Sequence, residues 1–234
     1  MPIKLSSLRA LLLASSTAFA LIAIDSPALA EEPSALSFSA NAALVSDYRF
    51  RGISLSNKDI AIQGGFDISS NTGFYIGSWG SSIEHFNGAE LELDIYGGYA
   101  TSIKGLEFDV GILAYTYASS ENTTYWEAYS SLDGSTGTLA WTLGAAYAFD
   151  QTSIGSDDNI YVYLDASLPI NVGPLSLATH LAYEDGAFGN DKFDWSLGIN
   201  YDFEKFSIGV AYVDTNIDTR EGKAGVIASL SSSF

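Results

Sequence analysis

The stretch LSFSANAALVSDYRFRG, residues 36–52, restricts the fold more than any other part of the chain. Every second residue gives Leu36, Phe38, Ala40, Ala42, Leu44, Ser46, Tyr48 and Phe50. The other register gives Ser37, Ser39, Asn41, Ala43, Val45, Asp47, Arg49 and Arg51. A strand sends successive side chains to opposite faces, so one face here is apolar and the other strongly polar. Such a strand suits the half-buried sheet of a soluble sandwich, or a membrane wall whose apolar face meets lipid.

The same period returns along the whole chain. Ile60, Ile62, Phe66 and Ile68 oppose Gln63 and Asp67. Leu91, Leu93 and Ile95 oppose Glu90, Glu92 and Asp94, and Leu106, Phe108, Val110 and Ile112 oppose Glu107 and Asp109. Trp126, Ala128 and Leu132 then oppose Tyr125, Glu127 and Tyr129. Segments 139–149, 160–168, 175–183, 193–203, 206–212 and 226–234 continue the scheme. Over 74–82 two registers compete, Tyr75 and Trp79 against Phe74 and Ile76. Short turns are expected at Ser70-Asn71-Thr72-Gly73, Lys104-Gly105, Asp133-Gly134, Gly173-Pro174 and Glu204-Lys205, which carry the residue types turns select. Longer polar connections are expected around 54–59, 83–88, 119–124, 151–158, 185–192 and 214–222.

With both termini on the periplasmic side, every short turn falls there. The outward aromatics then gather into two girdles. Tyr48, Phe50, Tyr147, Phe149, Tyr183, Phe193, Trp195 and Tyr212 form the outer one, and Phe38, Tyr99, Phe108, Tyr201, Phe203, Phe206 and Phe234 the inner. A bilayer selects such girdles and a sandwich does not. The expected fold is therefore an all-β, transmembrane, up-and-down antiparallel β-barrel of about 12 strands, with short periplasmic turns and longer extracellular loops.

Residues 1–30 read as a secretory signal peptide: Lys4 and Arg9, an apolar core over 11–24, and Ala28-Leu29-Ala30 before Glu31. Residues 31–234 form the barrel. Losing the leader removes Lys4, Arg9 and Asp25 and takes the formal charge from −18 to −19. So acidic a chain is a poor partner for nucleic acid. It has no cysteine, so a large closed structure must replace disulfide staples.

The run VSDYRFRGIS at 45–54, Gly64-Gly65-Phe66, the run GFYIGSWG at 73–80 and the segment 90–99 together resemble the TorF family of porin-like proteins. That family was formerly grouped only as conserved bacterial proteins of unknown function. The resemblance implies an outer-membrane barrel with a porin role and supplies no catalytic residues.

If the apolar register faces lipid, the interior carries Asp47, Arg49, Arg51, Asp67, Glu90, Glu92, Asp94, Glu107, Asp109, Glu127, Asp165, His180, Glu184, Asp194 and Asp202. About twelve strands leave a modest lumen, and rings of Asp and Glu favour cations. Arg49 and Arg51 are expected on the first strand near the outer mouth, either in a constriction or simply paired with carboxylates such as Asp47. The expected role is passive diffusion of small polar, cationic or neutral solutes. The alternatives are a plugged structural or adhesive barrel, which the many interior tyrosines would suit, and a lipid-acting enzyme. No G-x-S-x-G elbow supports the enzyme. Two lone histidines make no metal site, and no cofactor is implied. Expected partners are outer-membrane lipid, lipopolysaccharide, small solutes, and the barrel-assembly machinery, which would engage a C-terminal signal at Leu230 and Phe234.

Overall fold

The computed structural model describes residues 35–120, 123–170 and 173–234; the expected leader and its cleavage point lie outside them. The first strand, β1 (Leu36–Val45), is followed by the two-residue strands β2 (Arg49–Phe50) and β3 (Ile53–Ser54). Then come β4 (Ala61–Ser70), β5 (Phe74–Phe86), β6 (Ala89–Ile103), β7 (Leu106–Tyr117), β8 (Tyr125–Thr136) and β9 (Leu139–Gln151). The chain finishes with β10 (Asp157–Ile170), β11 (Leu175–Gly186), β12 (Gly189–Asp202), β13 (Ser207–Thr215) and β14 (Gly225–Ser233). Leaving out the small β2–β3 hairpin, twelve strands pair with their sequence neighbours into a closed antiparallel barrel. Closure comes from β1 and β14, with Asn41 opposite Ser233 and Val45 opposite Ser229. The backbones of Ala40 and Phe234 exchange hydrogen bonds of 3.1 and 2.9 Å. A bilayer offers no water to unpaired N–H and C=O groups, so such a sheet is stable there only when no edge remains.

The outward register is the apolar one. Ile62, Ile76, Ile112, Leu143, Leu181, Ile199 and Val210 are all exposed. Over 74–82 the ambiguity resolves in favour of Phe74 and Ile76 outside, with Tyr75 and Trp79 inside; Trp79 faces buried Asp94 across the strand pair.

The two ends of the barrel differ. At the turn end, which also holds both chain ends of the barrel, β6 and β7 are joined by Lys104-Gly105 alone, both with positive φ. Two details depart from expectation here and at the other end. β8 runs straight through Asp133-Gly134, and the turn falls at Gly137-Thr138, so Asp133 becomes a wall residue. At the loop end, two of the expected long loops are tight hairpins on extended strands, turning at Asn87-Gly88 and Ala187-Phe188. Their charged residues resemble loop composition because these strands run past the expected membrane band.

Inside, four tyrosines lie over glycines of the adjacent strand. Tyr75 faces Gly98, Tyr96 faces Gly77, Tyr129 faces Gly111 and Tyr163 faces Gly144. At each of these glycines an added Cβ would collide with the facing tyrosine. The glycine thus provides the recess in which the ring lies along the wall, a cross-strand packing that also restores contacts the bare backbone lacks. Gly144→Ala should lower stability by about 1–3 kcal/mol through overpacking. In a Tyr163→Ala background the same change should be nearly silent; urea unfolding in lipid vesicles, read as a double-mutant cycle, measures both.

Candidate functional site

The first loop folds into the lumen. β1 ends at Val45, and β2 and β3 form a hairpin whose tip is Arg51-Gly52, with φ of 49° and 83°. Two positive φ values make this a type I′ turn, the hairpin connection whose twist matches its strands. An added Cβ on Gly52 would stand 2.8 Å from Cβ of Asp194 and 3.0 Å from Cβ of Thr215, so the tip fits against β12 and β13 only as glycine. At the base, the Asp47 carboxylate accepts from Arg49 Nε (2.6 Å), Ser54 Oγ (2.6 Å) and Ser56 Oγ (3.3 Å). Arg49 Nη1 also donates to the carbonyls of Gly52, Glu221 and Lys223, tying the hairpin to the β13–β14 loop.

Arg51 reaches across the barrel. Its Nη1 donates to Glu184 Oε1 on β11 and its Nη2 to Glu127 Oε2 on β8, each at 2.6 Å. The guanidinium carbon lies 4.3 Å from the Tyr161 ring centroid and 4.7 Å from that of Phe50. Glu184 also accepts from Asn159 Nδ2 (2.9 Å) and from Lys192 Nζ. Tyr115 donates to Glu127 at 3.1 Å, and Tyr48 donates to Glu92 at 2.9 Å while its ring packs edge-on against Trp79. Arg51 is 1 % exposed, and Glu127 and Glu184 no more.

The hairpin fills the loop-end half of the lumen. From β4 to β14, each strand has an inward residue there that is at most 3 % exposed: Ala61, Ser81, Glu92, Tyr115, Glu127, Ala148, Tyr161, Glu184, Asp194, Val213 and Ile227. The turn-end half is a vestibule. Tyr75, Asp109, Tyr129, Asp133, Tyr163 and Asp165 are only partly buried there. Tyr75 donates to Asp109 (2.6 Å) and its hydroxyl meets that of Tyr129 (2.5 Å). Between the halves, His180 sets Nδ1 against Asp165 (2.6 Å) and Nε2 against Tyr161 (2.9 Å) and Asp194 (3.1 Å).

Most of the expected interior residues face the lumen. Glu92, Asp94, Glu127, Glu184 and Asp194 surround the hairpin, and Asp67, Glu107, Asp109, Asp165, His180 and Asp202 lie nearer the turn end. Three expectations are corrected. Asp47, Arg49 and Arg51 are buried but sit in the inserted loop and not on the first strand, because pairing of β1 ends at Val45. Tyr48 and Phe50 are accordingly inside the barrel instead of in the outer girdle. Glu90 is exposed and faces His85 at 3.8 Å, because the β5–β6 register shifts between Ser82 and Phe86 and turns it away from the Glu92 face. Lys192, Asn159 and Asp133 were absent from the expected set. Lys192 and Asn159 lie in segments whose polarity reads as loop, while the Asp-Gly pair at 133–134 hides Asp133. Leu230 and Phe234 face outward on and just after β14. Among the described residues no group of three or more His, Asp or Glu is placed to hold a metal.

A family model described as "Bacterial protein of unknown function (Gcw_chp)" matches residues 29–232. The chain belongs to the Gcw_chp family. No curated protein matches its sequence. The Gcw_chp barrel is similar in fold to solved porins. The KdgM porin superposes with a TM-score of 0.59 at 8 % identity, covering 84 % of this chain and 98 % of that one. A second KdgM structure, "in complex with disordered oligogalacturonate", gives 0.57 at 8 % identity over 84 % and 97 %. The NanC porin gives 0.55 at 14 % identity over 85 % and 99 %.

Removing Arg51 from this Gcw_chp barrel leaves Glu127 buried without a cation and Glu184 with Lys192 alone, and breaking a buried ion pair typically destabilises by about 3–5 kcal/mol. Arg51→Ala should therefore lower the urea midpoint and open the 46–60 loop to added protease. Arg51→Lys, with one nitrogen for two carboxylates, should fall between Arg51→Ala and wild type in both measurements.

Proposed function

We propose that the protein is an outer-membrane channel for small polar, cationic or neutral solutes, inserted after loss of the leader, with the β2–β3 hairpin as its constriction. The observation that carries this is the lumen's charge. The vestibule is lined by carboxylates, while Arg49, Arg51 and Lys192 lie in the hairpin layer with carboxylate partners. Lys58, Lys104, Lys205, Arg220 and Lys223 are exposed in turns and loops at the two ends. An acidic lining raises local cation concentration and repels anions. The porin-like fold and the resemblance to the TorF family support a channel role. One KdgM porin structure is a complex with oligogalacturonate, a polyanion; an acidic vestibule disfavours such a solute here. Lipid and lipopolysaccharide would surround the apolar outer face, and Leu230 and Phe234 would serve the assembly machinery.

The burial of inward residues on β4 to β14 favours a second reading, a barrel held shut by its hairpin as a structural element. A lipid-acting enzyme fits poorly, because His180 faces the lumen and hydrogen-bonds Asp165, Asp194 and Tyr161.

Planar-bilayer recording in a KCl gradient should give a reversal potential of cation preference; anion preference would overturn the assignment to cationic and neutral solutes. Arg51→Ala should raise conductance over wild type. If wild type and Arg51→Ala are both silent, the structural reading replaces the channel.

A further inference from the structure

We infer that the turn-end vestibule is a binding track for linear organic polyamines. It would hold their ammonium groups at Asp109, Asp133 and Asp165 and their methylene segments against Tyr75, Tyr129 and Tyr163. The inference rests on the channel reading for how such a solute arrives, but the site itself is a matter of wall chemistry.

The six residues alternate in kind around one arc of the wall. Tyr75 is on β5, Asp109 on β7, Tyr129 and Asp133 on β8, and Tyr163 and Asp165 on β10. They belong together in space. The Tyr75 hydroxyl touches both Asp109 and Tyr129, and strand register sets Asp109, Ser131, Gly144 and Tyr163 in one cross-strand row and Asp133, Thr142 and Asp165 in the next. Each ring lies over a glycine of the next strand, so it is laid along the wall instead of projecting across the lumen. A row of such rings offers apolar area and π-faces at the same depth as the carboxylates.

Among the described residues, the side-chain partners of the carboxylates of this arc are hydroxyls and a histidine. Asp109 has Tyr75, Asp133 has Thr142 (2.5 Å) and Ser131 (3.2 Å), and Asp165 has His180 (2.6 Å). No Lys or Arg of the described residues forms an ion pair with any of them. All three keep partial exposure to the vestibule, so a mobile cation can reach them. A further acceptor lies on the same wall, two strands on from Asp165 and nearer the turn end. The inward-facing side chain of Asn200 on β12 is 6 % exposed, and its Oδ1 has no partner among the described residues.

A single inorganic cation would use the charges and leave the rings idle. A polyamine uses both, because its charges are separated by short apolar spacers, and an ammonium over an aromatic face gains from the ring quadrupole. The hairpin layer just beyond ends the track, since its carboxylates around Arg51 are already neutralised and closed to solvent.

The test is titration of the refolded full chain in detergent micelles with spermine, followed by calorimetry. Saturable binding is expected, weakened by added KCl. Asp109→Asn combined with Asp133→Asn should weaken it about tenfold, and Tyr163→Leu roughly threefold or more, whereas Tyr163→Phe keeps the face and should bind as wild type does. Heat-dependent migration on gels confirms that each variant is a closed barrel before it is titrated. Spermine binding that is unchanged by Tyr163→Leu, or fully displaced by equal Mg2+, would reduce the vestibule to diffuse acidic screening and overturn the inference. Cation-selective conductance without saturable spermine binding would overturn it while leaving the channel reading intact. Saturable binding by a barrel that is silent in bilayers would uphold the site and remove the channel.

Discussion

One guanidinium bridging two walls of the barrel is the interaction on which the lumen's form depends. Arg51 joins Glu127 on β8 to Glu184 on β11, and each of the three is buried to within 1 %. Buried charges persist only when paired with good geometry, and the planar fork of arginine satisfies two carboxylates at once. The remaining contacts of the inserted hairpin support that placement. Asp47 and the Ser54 and Ser56 hydroxyls brace its base, Gly52 allows its tip to touch β12 and β13, and the rings of Phe50 and Tyr161 both lie against the cation. Without the loop cation, the wall's own acids on β6, β8 and β11 would face one another in a space closed to water.

The wall is built to keep room below that layer. A twelve-stranded barrel is wider than one filled by its own side chains. Interior tyrosines would narrow it if they projected to the centre, and the facing glycines prevent this by letting the rings lie down. Tyr-Gly pairing therefore decides whether an aromatic lining fills a lumen or surfaces it. Here both outcomes occur in one barrel. In the loop-end half, Tyr115 and Tyr125 stack in a buried cluster and Tyr48 packs on Trp79 beside it, while Tyr75 and Tyr129 border that cluster and, with Tyr163, line a vestibule that stays partly exposed.

The barrel itself was legible in the sequence because two-sided selection acts on every strand. The alternation of Leu36, Phe38, Ala40, Ala42 and Leu44 is a local record of which side meets lipid, and closure of β1 on β14 follows from the need to leave no edge. The hairpin was not legible for the opposite reason. Tyr48, Arg49, Phe50 and Arg51 continue the alternation past Val45, although the chain has left the wall. A period-2 pattern reports that a segment has two faces and not which object lies against each. Gly52 was the available signal, since a glycine after two arginines can mark a tight turn. Asp133 shows a related ambiguity, as Asp-Gly suits a turn but also suits a wall position where glycine admits Trp141 from the neighbouring strand.

The two halves of the lumen divide the electrostatic work. In the hairpin layer, Arg49, Arg51 and Lys192 are each held by carboxylates, while Glu92 and Asp94 are buried there with no Lys or Arg ion pair among the described residues. In the vestibule, Asp67, Asp109 and Asp133 accept hydroxyl hydrogen bonds and have no Lys or Arg ion pair among the described residues, and Asp165 meets His180. The acids that a solute meets while still in partly open space lie below the constriction. Discrimination by charge and permission to pass are thus set by different residues, on different elements. A substitution in the wall can change what is attracted without loosening the hairpin, and a substitution at the hairpin can open the path without changing what is attracted.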